Sequence, residues 1–306
     1  MATVTSQYYS GVKMDYSPEI RRQAIWATDA RKIASGRAAE VYAEKLGLTE
    51  REDLSHNEAA QWGLKLQEAI GREVSTRLHL NLKDADYALT HPNHPWMKSH
   101  FDFISEDNTT LVEVKNYHFS KRNRFDTSLM PAEDRAQCIH EAAVHSVNRI
   151  ILAVLFGGQE LHMIDLAVSN EDKNTLIKEE SVVWAAVQTQ TPPTASSPEL
   201  ARLLHPTSNA NLAIADARLE QMCAALKTIK QNIKTLETQE KQYTAEIQSH
   251  MRSSGTLATF DGNVLATWHQ AKPSMSFDRE LLQQTNPSLY NRYIKEVPGS
   301  RRFLLK

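Results

Sequence analysis

Apolar and polar positions divide the chain into a helical start, a strand-rich middle and a more polar final third. Residues 18 to 80 read mostly helical, with a turn around Gly47-Leu-Thr. Residues 97 to 116 read as a hairpin: Phe-Asp-Phe-Ile, a polar turn, then Leu-Val-Glu-Val-Lys. A helix follows from about Pro131 to Ser146, then the apolar strand Arg149-Ile-Ile-Leu-Ala-Val-Leu-Phe. Gly157-Gly158 turns into Leu161-His-Met-Ile-Asp-Leu, and a helix near Asp172 to Val187 closes the unit. This order predicts an α+β fold in which a small mixed sheet is flanked by helices.

The pattern changes at Thr189-Gln-Thr-Pro-Pro-Thr-Ala-Ser-Ser-Pro, which has three prolines and no large apolar residue, the composition of a linker. Beyond it Leu219, Met222, Leu226, Ile229, Ile233, Leu236, Tyr243 and Ile247 follow 3-4 spacing, with Glu240 in the skipped position. Such a seam predicts a long helix able to pair with a second copy, another helix of the chain or a partner. Asp261-Gly262 between Thr256-Leu-Ala-Thr-Phe and Asn263-Val-Leu-Ala-Thr-Trp predicts a hairpin. A helix from Asp278 to about Lys295 and a strand over 301–306 complete the prediction. The expected domains are therefore 1–188, a linker over 189–209, and 210–306.

Composition narrows the possibilities. The 306 residues are 41% hydrophobic and 24% charged, which is globular, and a net charge of −2 confines any attraction to phosphate to local patches. Two cysteines far apart argue against a disulfide framework and exclude a four-cysteine metal site. No apolar run approaches the roughly 20 residues of a membrane span. The start lacks the apolar core of a signal peptide, so a cytoplasmic location is expected, in a bacterium or a phage-infected host.

The hairpin carries the chemistry. Strand side chains alternate, so Leu111, Glu113 and Lys115 share one face and Val112 and Val114 the other. Burying Glu113 and Lys115 costs several kcal/mol unless something pairs with them. A divalent cation between Asp102 and Glu113 supplies that pairing, and Lys115 beside it could orient and help deprotonate a water. An exposed amphipathic hairpin with a solvated Glu–Lys edge fits the same pattern.

Several stretches in order resemble one family. His94-Pro-Trp-Met-Lys-Ser-His-Phe-Asp is similar to the lead-in of YqaJ-type phage recombination exonucleases, relatives of the phage lambda exonuclease within the PD-(D/E)xK nuclease fold. Ala136-Gln-Cys-Ile-His-Glu-Ala-Ala-Val looks like that family's glutamine helix. Arg21-Arg-Gln-Ala-Ile-Trp-Ala-Thr-Asp-Ala and Trp62-Gly-Leu-Lys-Leu-Gln-Glu look like its two upstream motifs. Gly262, Thr267-Trp, Pro287-Ser-Leu-Tyr-Asn-Arg-Tyr and Arg301-Arg-Phe are similar to the region often appended to YqaJ-like proteins.

The resemblance implies a deoxyribonuclease that uses Mg²⁺, with Mn²⁺ able to substitute, and resects double-stranded DNA ends 5′ to 3′. Asp102, Glu113 and the Val114 carbonyl become metal ligands, Lys115 the catalytic lysine, and Gln137 a residue near the active site. The family's helical glutamate falls on Gln67, while Glu68 lies one step later, about 100° around the helix; either the acid ligand has shifted to Glu68, or Gln67 contacts the metal or its water through its carbonyl. Arg21 and Thr28 correspond to positions that hold a 5′-phosphate or the backbone. Ser120, Lys121, Arg122 and Arg124, interleaved with aromatics after the catalytic strand, are expected to line a DNA channel. A single-strand annealing protein is the implied partner and a trimer the implied assembly. Three rivals remain: a structure-specific or defence-type endonuclease of the same fold, a non-catalytic DNA-binding scaffold, and a single-strand-specific nuclease of the fold.

Overall fold

The computed structural model describes residues 17–49, 56–85, 87–125, 130–296, 299 and 301–306. The N-terminal stretch read for a signal peptide lies outside them. Two compact units, Met1–Pro206 and Thr207–Lys306, divide the chain.

The first unit opens with α1 (Pro18–Arg22), β1 (Ile25–Trp26), α2 (Ala27–Ala34), α3 (Ala38–Lys45) and the long α4 (Glu58–Leu78). Strands β2 (Leu82–Asp84), β3 (Ala88–Thr90), β4 (Met97–His100), β5 (Phe103–Ser105) and β6 (Thr110–Tyr117) follow. A 3-10 turn over Phe119–Arg124 leads to α5 (Ala132–His145), β7 (Arg149–Phe156), β8 (Glu160–Ala167), α6 (Asn170–Thr189) and α7 (Pro198–Leu204).

The main sheet runs β2-β5-β6-β7-β8. Among the described strands of this sheet only β6 and β7 pair in parallel, with Glu113 opposite Leu152 and Lys115 opposite Val154. A parallel pair needs a crossover, and α5 supplies it. Both faces are covered. On one, Val112, Val114, Ile151 and Ala153 pack with Ile70 and Val74 of α4. On the other, Leu111, Ile150, Leu152 and Val154 pack with Cys138, Ala142 and neighbours on α5. The alternation that separates Val112 from Glu113 therefore sends Glu113 and Lys115 toward α5, where charge must find partners. The mixed sheet flanked by helices is the fold the sequence predicts.

Three boundaries differ from the sequence reading. The stretch 97–116 is not one hairpin: β5 pairs with β6, while β4 joins a second sheet, β1-β4-β3, and the chain bends at Asp102 between them. The stretch 189–209 contains α7, whose Leu200 packs on Ala39 and Ala43 of α3, so this part folds with the first unit. The expected helix over 278–295 breaks into α9 (Arg279–Thr285) and α10 (Pro287–Tyr293), because Pro287 has no N–H to continue α9 and Asn286 caps α10 instead.

The second unit holds α8 (Ala217–Met251), β9 (Thr256–Ala258), β10 (Val264–Thr267), α9 and α10. Gly262, at φ 84, makes the turn between β9 and β10. Along α8 the seam residues Leu219, Met222, Ile229, Ile233, Leu236, Tyr243 and Ile247 are exposed. Residues 301–306 form no strand. Among the described residues no helix is long and apolar enough to cross a membrane.

Candidate active site

Asp102 occupies the bend before β5. Its Oδ2 accepts the backbone N–H of Val114 at 2.8 Å, and its Oδ1 accepts the side-chain N–H of Gln67 at 2.9 Å. The first bond ties the bend to β6; the second ties it to α4. Glu113, only 5% exposed, pairs with Lys115 two residues on, and its Oε1 also accepts from Gln137 Nε2 at 2.5 Å. Gln137 Nε2 reaches Glu141 Oε1 at 2.8 Å as well. These side chains line one cavity of ≈ 500 Å³.

Carboxyl groups crowd one another here. Three acids, Asp102, Glu113 and Glu141, lie around one ammonium, Lys115, and Asp84 and Arg21 line the same cavity. Burial, then the charge of Glu113, pushes the Asp102 carboxyl up to about 8. Burial and the same neighbour push Glu141 well above the usual carboxylate range. Burial acts against the Lys115 ammonium, but Glu113 and Asp102 outweigh it and hold its pKa above the ordinary lysine value. Closely placed oxygen donors that crowd one another are the donor set a hard cation relieves, and Mg²⁺ takes only one or two carboxylates and fills its other positions with water and phosphate. Asp102 and Glu113 fit that demand. Among the described residues no group of three His, Cys, Asp or Glu side chains is arranged to hold a metal, so Glu141 does not complete a triad.

Arg21 and Thr28 line the same cavity and meet, Arg21 Nη1 lying 3.4 Å from Thr28 Oγ1. The Arg21 guanidinium sits 4.7 Å from the Trp26 ring centre. Lys45 fixes this corner from behind. Its ammonium donates to the Arg21 carbonyl at 2.8 Å and pairs with buried Asp29, which accepts the Trp26 N–H at 2.8 Å. His100 stacks on Trp26 with ring centres 5.0 Å apart; burial and then the Arg21 charge push its pKa down to about 4, so the ring is neutral near neutral pH.

Glu68 is the correction. It is exposed and pairs with Arg72 one turn along α4, away from the cavity, while Gln67 takes the place against Asp102. The 100° step between neighbours on a helix is the reason. The basic turn is also not part of the cavity. Arg122 donates to Glu160 at 2.7 Å and to the Phe125 carbonyl at 2.6 Å, and Arg124 pairs with Glu133. Lys121 lies 4.5 Å from the Tyr117 ring centre, and Ser120 Oγ is 2.9 Å from His118 Nδ1.

Sequence reading missed Glu141 and Asp134. The signal was present: Asp134, Gln137 and Glu141 recur at i, i+3 and i+7, one polar stripe on an amphipathic helix.

Residues 18–148 match the model of the YqaJ-like viral recombinase domain. Over 300 residues the chain is 23% identical to the uncharacterized protein YqaJ of Bacillus subtilis (strain 168), covering 94% of this chain and 92% of that protein. Among solved structures, an alkaline exonuclease from Laribacter hongkongensis aligns at a TM-score of 0.47 and 14% identity, over 56% of this chain and 91% of its own. A phage-related exonuclease from Haemophilus somnus 129PT aligns at 0.45 and 11% identity, over 56% and 97%.

Proposed function

We propose that this chain, whose residues 18–148 match the YqaJ-like viral recombinase domain, is a metal-dependent deoxyribonuclease that resects duplex DNA ends, 5′ to 3′. The observation that carries the reading is the cavity shared by Asp102, Glu113 and Lys115, where crowded carboxyls are driven toward their neutral forms. Asp102 and Glu113, with the Val114 carbonyl, would hold Mg²⁺ or Mn²⁺. Bound there, the cation supplies a water of lowered pKa and offsets charge developing on the phosphate.

The chain's own groups do the rest. Lys115, paired with Glu113 beside the position proposed for the cation, would orient the attacking water and stabilise the phosphate oxygens. Gln137 holds Glu113 in place. Arg21, whose planar fork matches a phosphate, and Thr28 beside it would receive the 5′-terminal phosphate at the cavity edge. By resemblance, the single strand left behind passes to an annealing protein, and the working assembly is a trimer.

The test is digestion of linear duplexes carrying a 5′-phosphate or a 5′-hydroxyl, and of closed circles, with Mg²⁺ or with chelator. The expected result is Mg²⁺-dependent loss of linear DNA from the phosphorylated 5′ end, abolished by Asp102→Ala and Lys115→Met, with circles intact. Cleavage of circles identifies an endonuclease instead. Digestion unchanged in Asp102→Ala overturns the site.

A further inference from the structure

Gln137 is engaged at every polar position its amide has. Its Nε2 donates to Glu113 Oε1 at 2.5 Å and to Glu141 Oε1 at 2.8 Å, and its Oε1 accepts from Arg31 Nη1 at 3.2 Å. Arg31 is itself pinned. It pairs with Asp134 through Nη1 and donates from Nη2 to Tyr117 Oη at 3.1 Å, while the Tyr117 hydroxyl donates to Asp134 at 2.6 Å. A continuous chain of hydrogen bonds thus runs from α2 through α5 to β6 and ends on a proposed cation ligand.

The direction of that chain matters. An amide can turn over and present its oxygen where its nitrogen was. Arg31 prevents this by occupying the oxygen, and Glu141 by occupying the second N–H. Lys115 and Gln137 both donate to Oε1 of Glu113, and the Asp102 carboxyl hydrogen-bonds the same carboxylate. The Gln137 amide therefore helps set which way the Glu113 oxygens face Asp102, across the position proposed for the cation. Two nitrogens of one guanidinium serve three acceptors here, a task a lysine ammonium cannot share out in the same plane.

We propose that Arg31 and Glu141 are positioning residues that clamp the Gln137 amide and, through it, the Glu113 carboxylate in the orientation that receives the cation. This rests on the metal-dependent reading given above.

The test uses the full chain and two readouts: Mn²⁺ binding by calorimetry without DNA, and steady-state digestion of a linear duplex. Loss of a group that orients a metal ligand typically costs 10–100-fold in metal affinity or activity. Arg31→Met and Glu141→Leu should each weaken Mn²⁺ binding by about tenfold and lower kcat by ~10–100-fold, with KM for DNA unchanged. Glu141→Gln keeps an acceptor for the Gln137 N–H and should stay near the parent. The double variant should be no worse than either single, because both break one chain. Arg31→Lys, which keeps the charge without the fork, should resemble Arg31→Met and serves in its place if that variant fails to fold. Parent-like Mn²⁺ affinity in folded Arg31→Met or Arg31→Lys overturns the clamp, as does a change in KM alone, which would put Arg31 on the DNA. A parent that binds Mn²⁺ without digesting DNA sinks the nuclease reading while the order of affinities still decides the clamp. A parent that binds no Mn²⁺ sinks the clamp as well.

Discussion

Gln67 donates its side-chain N–H to Asp102 at 2.9 Å, so the helix α4 reaches the acid cluster with an amide and not with a further carboxylate. Glu68, one residue on, is in solvent with Arg72. Two substitutions separate these positions. Glu68→Gln removes an exposed i,i+4 pair and should change stability by no more than ~0.5 kcal/mol and digestion not at all. Gln67→Glu sets a like charge beside a carboxyl already pushed up to about 8. It should destabilise the metal-free protein by ~1–3 kcal/mol and tighten Mn²⁺ binding. Urea unfolding in chelator and calorimetric Mn²⁺ titration check the two halves; equal behaviour of both variants would refute the assignment of faces on α4.

The seat of Gln67 depends on a close approach farther along the same helix. A Cβ built at Gly71 would lie 2.5 Å from the Phe103 ring, and Phe103 itself is buried on β5 next to Asp102. Gly71→Ala should therefore push α4 off the sheet despite alanine's better helix propensity. The expected cost is ~1–3 kcal/mol from overpacking, with a fall in activity because Gln67 moves with the helix. Thermal unfolding and kcat are the measurements, and a more stable Gly71→Ala protein would contradict this packing.

Much of this site was readable before any coordinates. Alternation along β6 separated Val112 and Val114 from Glu113 and Lys115, and the structure sends the two pairs to α4 and α5 as a period of two requires. What was not readable depends on distant segments meeting. Asp102 works from a bend between two sheets, because the backbone N–H of Val114, 12 residues later, fixes it there. Arg31 reaches Gln137 across 106 positions, which no local pattern encodes. The bonding of the basic turn was unreadable for a related reason: charge in sequence does not reveal that Arg122 is bonded to Glu160 and Arg124 to Glu133.

Those pairings sort the cations. Arg122 is bonded to Glu160 and to the Phe125 carbonyl, whereas Arg21 faces the cavity. Each phosphate contact contributes a slope of about −0.9 to the dependence of log K on log salt for duplex DNA. Arg21→Ala should flatten that slope by about one such unit. Arg122→Ala should leave the slope alone and lower stability by ~1 kcal/mol through its lost hydrogen bonds. Binding to a 5′-phosphorylated duplex across a salt series, in calcium to prevent turnover, distinguishes them. Interchanged results would move the DNA path to the turn over 119–124.

The buried pair His140–Glu180 gives a pH dependence with a definite sign. His140 Nδ1 lies 2.8 and 3.0 Å from the two Glu180 oxygens, and Nε2 lies 3.0 Å from the Lys98 carbonyl, so both ring nitrogens face acceptors. Burial works against the imidazolium, but Glu180 first, then the Lys98 carbonyl and more distant Asp29, raise its pKa above the ordinary 6.5. Burial first, then His94 and His140, lower the pKa of His91 and favour its neutral ring. A raised folded-state pKa means stability fully present below 6.5 and lost as pH climbs through the folded value. His140→Gln strands the Glu180 carboxylate and should cost ~3 kcal/mol near pH 6. That deficit should shrink toward alkaline pH, where the parent also loses its imidazolium. Asp102, with its carboxyl near 8, adds a trend of the same sign to both proteins, so it cancels in their difference. Urea unfolding of parent and variant in chelator from about pH 6 to 9 measures that difference. A deficit that stays constant across the series would mean His140 is neutral when buried.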